Sequence, residues 1–584
     1  MTPLRCHSKL SGNANIARGI GIDLDSRSME KGTSSLRLCV WICLCTVPAV
    51  ICAGSARSSE APHAGSAFVP PESAKASSNA GASGLTPEEI SRYVGLVNRF
   101  HTYAIFEGKN EELRSQHLQT SGFGGHEGPL QGGEPVPVDL AGDALLGPPI
   151  ADGNAYMWAA NISSVDAHAI CFHVDLSTLP NDAQVWVVDP TYLVAFGPYA
   201  RGDGGPDQRW LATIFGEEGV ILLRTSSSSA PGLRLIEYSH IFLSFEDVAK
   251  NLSCNINIGC ETNQQTLSAA TGTGIVLVEG KGFCSGTLLN NERTAAHEPF
   301  FLTANHCVCT GAEARNTEVY WDYRTQSCDS NDAPELATLP RSTGSALLAA
   351  DPKLDTTLIR LATVPVGSYG RTYVGWDTRE LHIGDGVRTI HYPDITQMRI
   401  SKGEVRATDM EAGGREHLVE VHWDEGVTEE GSSGASLLLD DGKQIAGMLS
   451  QGPQHTCGPD RSGNIDFFGS FRDFYPEISK YIDSATPSTA EGEDACLQTC
   501  FLETLFGSDA PVLDDFRVLR EKLLACGPAG RWAVDAYYAY GPRLARAVRQ
   551  SELAQGACIV AVAPLARLGA AVDEADHLLH AWAG

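Results

Sequence analysis

Three polar motifs, each beside a short apolar run, constrain the fold of this chain most. Phe300–Ala304 is followed closely by His306. Asp355 lies in Leu354–Leu358, where two leucines flank Asp-Thr-Thr, and the turn 431–436 has the sequence Gly-Ser-Ser-Gly-Ala-Ser. Short apolar runs bounded by turn residues are typical of buried strands. The region that contains them is therefore predicted to be mainly β.

The polar residues of these motifs have the chemistry of a nucleophilic centre. The hydroxyl of Ser433 is a weak nucleophile near neutral pH, so it needs an imidazole to accept its proton and a carboxylate to hold that imidazole. His306 and Asp355 can supply both. Taken alone, the histidine is typical of a hydrogen-bonded core residue, the aspartate is one of many acids, and the glycine-serine run is typical of a flexible loop. Together, in the order His, Asp, Ser, they indicate the chymotrypsin arrangement.

Further motifs surround these residues: Cys284–Asn291, Val319–Tyr323, Gly375–Asp377, Ile390–Pro393, Arg399–Ser401 and Gly426–Glu429. With them, the stretch from Cys254 to Ile482 resembles the bacterial lysyl endopeptidases, a secreted branch of the trypsin-like serine proteases. The resemblance implies a chymotrypsin-like double β-barrel that hydrolyses peptide bonds after Lys or Arg, with no cofactor and no metal. The alternative is a catalytically weak or inactive protease-like binding protein of the cell envelope.

The resemblance also implies a role for each residue of the centre. Ser433 would attack the scissile carbonyl, His306 would carry its proton to the leaving amine, and Asp355 would orient His306. The backbone N–H groups of Gly431 and Ser433 would form the oxyanion hole. Ser432 replaces the acid that pairs with a new N-terminus in trypsin zymogens, so activation by that salt bridge is not expected.

Specificity is expected to depend on a later loop. The position of the trypsin acid, six residues before the nucleophile, is filled by Val427. The resemblance places Asp466 as the acid that binds a basic side chain, with Ser450 and Gly452 lining the substrate cleft. A solvated loop acid is the alternative for Asp466. Ser450 stands where the relatives have a histidine and the stretch 405–414 lacks their tryptophan, which leaves the preference for Lys over Arg open.

The cysteines predict disulfides and hence an oxidising compartment. The resemblance implies three bridges, Cys254–Cys457, Cys260–Cys328 and Cys284–Cys307. In the chain-entropy model each stabilises by about 2–5 kcal/mol. Cys309 has no counterpart in the relatives, and either a free thiol or a partner outside the barrels is possible.

The N-terminal region has the features of a signal peptide. An apolar run covers 38–53, small residues follow at 54–56, and Met29 is the expected start of translation. A short membrane anchor is the alternative, although the run is shorter than the roughly 20 residues of a spanning helix. The expected location is therefore secreted or periplasmic, without a stable membrane span.

Charge excludes one class of partner. The 584 residues include 43 Lys and Arg against 71 Asp and Glu, a net charge of −28. Nucleic-acid binding needs clustered basic residues, so it is not expected. The expected partners are protein or peptide substrates and the chain's own prodomain.

The domain organisation follows from changes in composition along the chain. Turn clusters separate alternating strands between Tyr156 and Phe245, as in a β-sandwich. Together with the turn Gly197–Tyr199, this region resembles the prodomain of bacterial trypsin-like proteases, which implies a folding chaperone or inhibitor; carbohydrate or surface binding is the alternative. The predicted segments are a signal region 1–56, a linker 57–85, a pro-segment 86–149 with a helix over 86–104, a sandwich 150–248, a protease 249–485, a linker 486–493 and a helical C-terminal domain 494–584.

The last segment resembles a small bacterial domain named for its Cys-Phe-Ile box, through Cys500–Thr504 and Phe506–Ser508. Its cysteines, Cys496, Cys500, Cys526 and Cys558, favour two disulfides over a zinc site in an exported chain.

The bond Lys250–Asn251, at the end of the sandwich, is the expected site of self-cleavage during maturation.

Overall fold

The structure is a computed structural model that describes residues 63–67, 84–96, 102–107, 110, 113, 129–229, 231–244, 254–291, 297–328, 330, 333–483 and 491–496. The predicted signal region, the Lys250–Asn251 bond and the C-terminal domain beyond Cys496 lie outside these residues. The described part is mainly β, with a sandwich followed by two barrels.

The first half of the chain forms the sandwich. The elements of this half are β1 (Ala64–Gly65), α1 (Pro87–Leu96), β2 (Thr102–Glu107), β3 (Leu130–Gln131), β4 (Gly133–Ala141), β5 (Ile150–Asp152), β6 (Ala155–Val165), β7 (Ala169–Asp175), β8 (Gln184–Asp189), β9 (Val194–Tyr199), β10 (Gln208–Trp210), β11 (Ile214–Phe215), β12 (Glu218–Thr225) and β13 (Arg234–Ile241). Of these, β1 and β3 pair with strands of the barrels and not with the sandwich. One sheet has the order β2-β6-β12-β8-β9 and the other β10-β7-β13-β4. Buried residues of both, such as Val187, Leu223, Phe172 and Leu235, share one apolar core.

Two boundaries differ from the sequence prediction. Helix α1 begins at the predicted Thr-Pro-Glu-Glu signal, where Thr86 and Glu89 cap each other through N–H bonds of 2.8 and 3.2 Å. It ends at Leu96, however, and Thr102–Glu107 forms a strand parallel to β6, so the predicted helix to Ala104 is too long. Strands β2 and β4 also belong to the sandwich, which therefore begins before residue 150.

The first barrel follows the sandwich. Strand β14 (Ile256–Asn257) comes first in the chain but pairs with the second barrel. The elements of the first barrel are α2 (Gln264–Ala270), β15 (Thr273–Val278), β16 (Gly282–Leu289), β17 (Phe300–Ala304), α3 (Gly311–Arg315), β18 (Thr317–Trp321), β19 (Arg341–Thr343), β20 (Ser345–Asp351) and β21 (Thr356–Leu361). The sheet order is β19-β18-β15-β16-β17-β21-β20. Gly344, which joins β19 to β20 at a φ of +77°, donates to Thr317 O and accepts from Ala362 N, so the two edges of the sheet meet.

The second barrel contains β22 (Gly375–Asp377), β23 (Gly386–His391), β24 (Arg399–Ala412), β25 (Arg415–Glu425), β26 (Ser436–Leu439), β27 (Gln444–Gln451), β28 (Ile465–Ser470) and α4 (Phe471–Ile482). Its strands run β27-β26-β23-β24-β25-β28, and β28 pairs again with β27 to close the ring. Strand β1, from the stretch predicted as a linker, pairs with β22 at its edge.

The sandwich packs on the first barrel through a buried polar contact within an apolar surface. Glu318 of β18 accepts the Thr213 N–H at 2.7 Å and forms an ion pair of 3.2 Å with Arg341. Arg341 in turn donates to Thr213 O at 2.7 Å. Around this contact, Phe215 and Ile241 of the sandwich belong to the same apolar cluster as residues of the barrels. The interface therefore resembles the interior of a domain, with a buried, paired polar contact among apolar side chains.

Four disulfides occur among the described residues: Cys254–Cys457, Cys260–Cys328, Cys284–Cys307 and Cys309–Cys496. The last was not expected, because Cys496 was grouped with the C-terminal cysteines. Residues 491–496 instead run along the first barrel, where Ala495 N donates to Cys309 O at 3.0 Å. Cys171 is a buried free thiol. None of the helices in the described ranges is long and apolar enough to cross a membrane.

Candidate active site

His306 and Asp355 meet at adjacent strand ends of the first barrel. His306 follows β17, and Asp355 immediately precedes β21, the neighbour of β17. His306 Nδ1 lies 2.7 Å from Asp355 Oδ2, and the His306 backbone N–H donates to Oδ1 at 2.9 Å. Asp355 has a φ of +51°, and its own carbonyl accepts the Asn305 N–H at 3.1 Å. The left-handed conformation thus turns both acceptors of Asp355 toward the histidine segment.

Two residues of the second barrel also contact the Asp355 carboxylate. Ser450 Oγ donates to Oδ2 at 2.7 Å, and Arg415 Nε lies 3.0 Å from the same oxygen as an ion pair. Burial raises the pKa of Asp355, but the attraction of His306 and Arg415 and the hydrogen bonds outweigh it, so the pKa is below its ordinary value. The carboxylate therefore stays ionised and can hold the imidazole in one tautomer.

Ser433 lies in the turn before β26, against the first barrel. Its carbonyl accepts the Ser285 N–H of β16 at 2.8 Å. A Cβ at Gly434 would collide with Thr303 and with the Ala304 backbone, two residues before His306. This turn therefore needs glycine, both for space and for its φ of +81°. His306 Nε2 is buried and has no hydrogen-bond partner within the described residues, which leaves its lone pair for an incoming proton.

The Gly431–Ser433 turn has free backbone donors. Gly431 has a φ of +82°, and its carbonyl is held by Ser285 Oγ at 2.9 Å. Across the described ranges, neither the Gly431 N–H nor the Ser433 N–H has a protein acceptor. Two unpaired N–H groups on one turn can stabilise a developing oxyanion.

A buried histidine supports this turn from behind. His391 Nδ1 lies 2.8 Å from Ser432 Oγ, and its Nε2 lies 3.1 Å from Ser401 Oγ. Ser401 Oγ donates to Val427 O at 2.9 Å. Burial lowers the pKa of His391 to about 3, so the imidazole is neutral at physiological pH. Ser432, the residue expected to replace the acid of trypsin zymogens, is therefore part of a neutral hydrogen-bond chain.

Asp466 lies on β28 and is fully buried, so the solvated-acid alternative is wrong. Its Oδ2 accepts Trp423 Nε1–H and Thr428 Oγ–H, each at 2.5 Å, and its Oδ1 is 3.0 Å from His455 Nε2. Gly452 lies against Oδ1, because a Cβ there would collide with that oxygen. The predicted neighbours Asp466 and Gly452 thus meet, but the carboxylate already has three partners.

Several site residues were not predicted. Ser450 was expected to line the cleft, whereas its buried hydroxyl contacts Asp355. Arg415 and His455 were not considered, and His391 was noted only within a motif. The partners of these side chains lie 10 to 95 positions away in the chain. Such contacts depend on how the barrel strands pair, and short-range sequence patterns carry no signal for them.

Comparison with known proteins finds similarity to lysyl endopeptidases. Residues 248–469 match the family model described as lysyl endopeptidase, C-terminal domain. A lysyl endopeptidase of Pseudomonas aeruginosa is 32% identical over 241 residues, which are 39% of this chain and 51% of that protein. The chain thus spans about half the length of this relative.

Solved structures give a weaker likeness. An active-form protease from M. tuberculosis has a TM-score of 0.26 at 14% identity, covering 40% of this chain and 90% of its own. The HtrA-type protease AlgW with tripeptide also has a TM-score of 0.26, at 15% identity, covering 37% and 64%. These scores add nothing to the fold established by the strand pairings.

Proposed function

We propose that residues 254–483 form a serine endopeptidase with His306, Asp355 and Ser433 as its catalytic triad. One observation carries the proposal: a buried Asp355 holds His306 through both Nδ1 and the backbone N–H, while His306 Nε2 has no partner among the described residues. Such an imidazole is oriented and able to accept a proton. The similarity to lysyl endopeptidases supports the same reaction class.

The reaction has two chemical halves. In the first, Ser433 Oγ attacks the scissile carbonyl while His306 Nε2 takes the hydroxyl proton, and Asp355 stabilises the imidazolium that forms. The C–N bond breaks as His306 gives that proton to the leaving amine, and an acyl-serine remains. In the second half, His306 deprotonates a water molecule, which attacks the ester and releases the carboxylic acid and Ser433.

The Gly431 and Ser433 N–H groups would stabilise the oxyanion of both tetrahedral intermediates. Loss of one such donor typically costs about 2.7–4 kcal/mol of transition-state stabilisation. The chain needs no activating salt bridge for this turn, because His391 holds Ser432 through a neutral hydrogen bond. This accounts for an ordered turn in a chain that has serine in place of the zymogen acid.

The substrate class proposed is a peptide with a basic residue before the cut. Gly452 lies against Asp466 Oδ1, and the carboxylate is ionised: burial raises its pKa, but His455 and the hydrogen bonds lower it more. An ionised buried carboxylate attracts an ammonium or guanidinium group.

The terminal regions fit an exported proenzyme. Four disulfides among the described residues require an oxidising compartment. We propose that the sandwich acts as a folding partner, because it covers the apolar back of the first barrel and makes no contact with His306 or Ser433 in the described residues. Cleavage near Lys250–Asn251 would leave it bound without a covalent link.

The test is digestion of an unbiased peptide library by the purified chain, with sequencing of the new termini. The wild type should cut after Lys or Arg, and Ser433→Ala should lose activity by about 10⁶-fold. The matched control, Ser436→Ala, changes a neighbouring serine outside the triad and should retain activity. Residual turnover of Ser433→Ala above about one per cent would exclude Ser433 as the nucleophile.

A further inference from the structure

We propose that His455 is a specificity-determining residue, which competes with the substrate's basic side chain for the Asp466 carboxylate. The inference rests on the proposed endopeptidase function. His455 Nε2 lies 3.0 Å from Asp466 Oδ1, and both side chains are almost completely buried. The other carboxylate oxygen, Oδ2, is already bound by Trp423 and Thr428. A cationic side chain that approaches Asp466 must therefore share Oδ1 with His455.

Of the two carboxylate oxygens, Oδ1 has one hydrogen-bond partner among the described residues, whereas Oδ2 has two. Gly452 lies against Oδ1, and no Cβ can be accommodated there. His455 also lies 3.1 Å from Thr428 Oγ, so its ring is held beside the carboxylate from two directions. Its Nδ1 is buried and has no partner within the described ranges. When the ring is neutral and donates from Nε2, Nδ1 can accept a hydrogen bond from a substrate ammonium or guanidinium group.

The protonation state of His455 sets the net charge of this pocket. Burial lowers the pKa of His455, but the charge of Asp466, a hydrogen bond to it and the charge of Glu429 outweigh burial, so the pKa is raised. His391 also interacts with His455, but it is neutral at physiological pH because its pKa is about 3. An imidazolium cancels the charge of Asp466, whereas a neutral imidazole leaves the pocket with one negative charge.

A consequence for specificity follows by linkage. A substrate Lys that binds beside Asp466 repels the proton on His455, so binding of Lys releases that proton. Preference for a basic substrate should therefore increase as the pH rises through the pKa of His455. Hydrolysis of a neutral substrate also depends on His306, but it lacks this second dependence. The ratio of the two rates cancels the contribution of His306.

The experiment compares two peptides that differ only before the cut, one with Lys and one with its neutral isostere norleucine. For the wild type, the kcat/KM ratio of Lys to norleucine should rise about tenfold between about pH 5 and pH 9. His455→Gln keeps a neutral amide donor for Asp466, so its ratio should be high and independent of pH. His422→Gln is the control, because His422 contacts Arg461 O at 2.9 Å outside this pocket and should retain the wild-type profile.

A wild-type slope in His455→Gln would overturn the inference. A wild-type kcat/KM ratio of Lys to norleucine that does not change with pH would also overturn it. If both peptides are still cut by a Ser433-dependent reaction, the proposed function would stand even though this inference fails. A second measurement needs no hydrolysis. In the Ser433→Ala protein, saturating n-butylammonium should lower the pKa of His455 measured by NMR, and it should fail to do so in Asp466→Asn. An unchanged His455 pKa would refute competition for the carboxylate.

Discussion

Arg415→Met is expected to destabilise the protein through Asp355 rather than through lost packing. Arg415 and Asp355 are 1% and 0% exposed, and Arg415 Nε lies 3.0 Å from the carboxylate. Removing one member of a buried ion pair costs about 3–5 kcal/mol, because the other charge loses its partner. Asp355 would keep donors from His306 N, His306 Nδ1 and Ser450 Oγ. The lower end of the range, about 3 kcal/mol, is therefore expected.

Thermal unfolding in the Ser433→Ala background measures this cost without self-digestion. For a domain of this size, about 3 kcal/mol corresponds to a fall in Tm of about 6–12 °C. Arg406→Met is the matched control, because Arg406 forms a half-exposed ion pair of 3.3 Å with Glu404. Exposed pairs contribute about 0–1 kcal/mol. If Arg415→Met is no less stable than Arg406→Met, the reasoning is refuted.

The difference in Tm between wild type and Arg415→Met should depend on pH in a definite direction. The folded-state pKa of Asp355 is lowered, so its ionised form contributes stability above the unfolded pKa and loses it as the pH falls through the folded pKa. Protonation of Asp355 removes the charge that Arg415 compensates. The difference in Tm between wild type and Arg415→Met should therefore shrink in acid. A difference that stays constant into strong acid would exclude the ion pair as its cause.

Three further changes test other parts of the site and fold. Gly434→Ala should abolish hydrolysis, because a Cβ there collides with Thr303 and the φ is positive; initial rates on a peptide substrate measure this. His391→Phe should lower kcat more than it changes KM, since it leaves the hydrogen of the Ser432 hydroxyl without an acceptor and costs about 1–3 kcal/mol; steady-state kinetics separate the two constants. Glu318→Ala should destabilise the sandwich interface by about 3–5 kcal/mol in chemical denaturation, because it leaves the buried Arg341 without its counter-charge and the buried Thr213 N–H without its acceptor.

Each of these changes has an outcome that would contradict it. Gly414→Ala is the control for glycine replacement, since Gly414 has a φ of +75° but open space around it; equal activity of the two alanine variants would exclude the collision. An unchanged kcat in His391→Phe would exclude support of the oxyanion turn. Glu491→Ala, at an exposed pair, is the control for Glu318→Ala, and equal stability of the two would exclude a buried interface contact.

The sequence predicted those features whose signal is local. Each member of the proposed triad lies next to a strand-like run, so its position at a strand end followed from apolar patterning. The start of the helix at Thr86 was predicted from another local signal, the Thr-Pro-Glu-Glu sequence. Residues 102–104 were assigned to the helix, but they belong to strand β2, which pairs with β6 more than fifty residues later. Local propensity cannot reveal a strand that is defined by a distant partner.

Long-range contacts account for the rest of the difference. Arg415 and Ser450 come from separate strands of the second barrel, yet both reach Asp355 in the first. Cys309 pairs with Cys496 across 187 positions, and the spacing of cysteines does not select a partner. The sequence also placed Asp466 near the substrate without its histidine partner. The sequence thus pointed to Asp466 as the proposed specificity acid but not to its partners Trp423, Thr428 and His455.

The most direct test of the central claim is covalent labelling by a fluorophosphonate. Its phosphorus reacts with a serine oxygen activated by a neighbouring base, with loss of fluoride. The account predicts one adduct per chain, located by peptide mass spectrometry on Ser433 and absent from Ser432. His306→Ala should abolish labelling while the protein remains folded. Equal labelling of His306→Ala, or an adduct on another serine, would contradict a centre in which His306 activates Ser433.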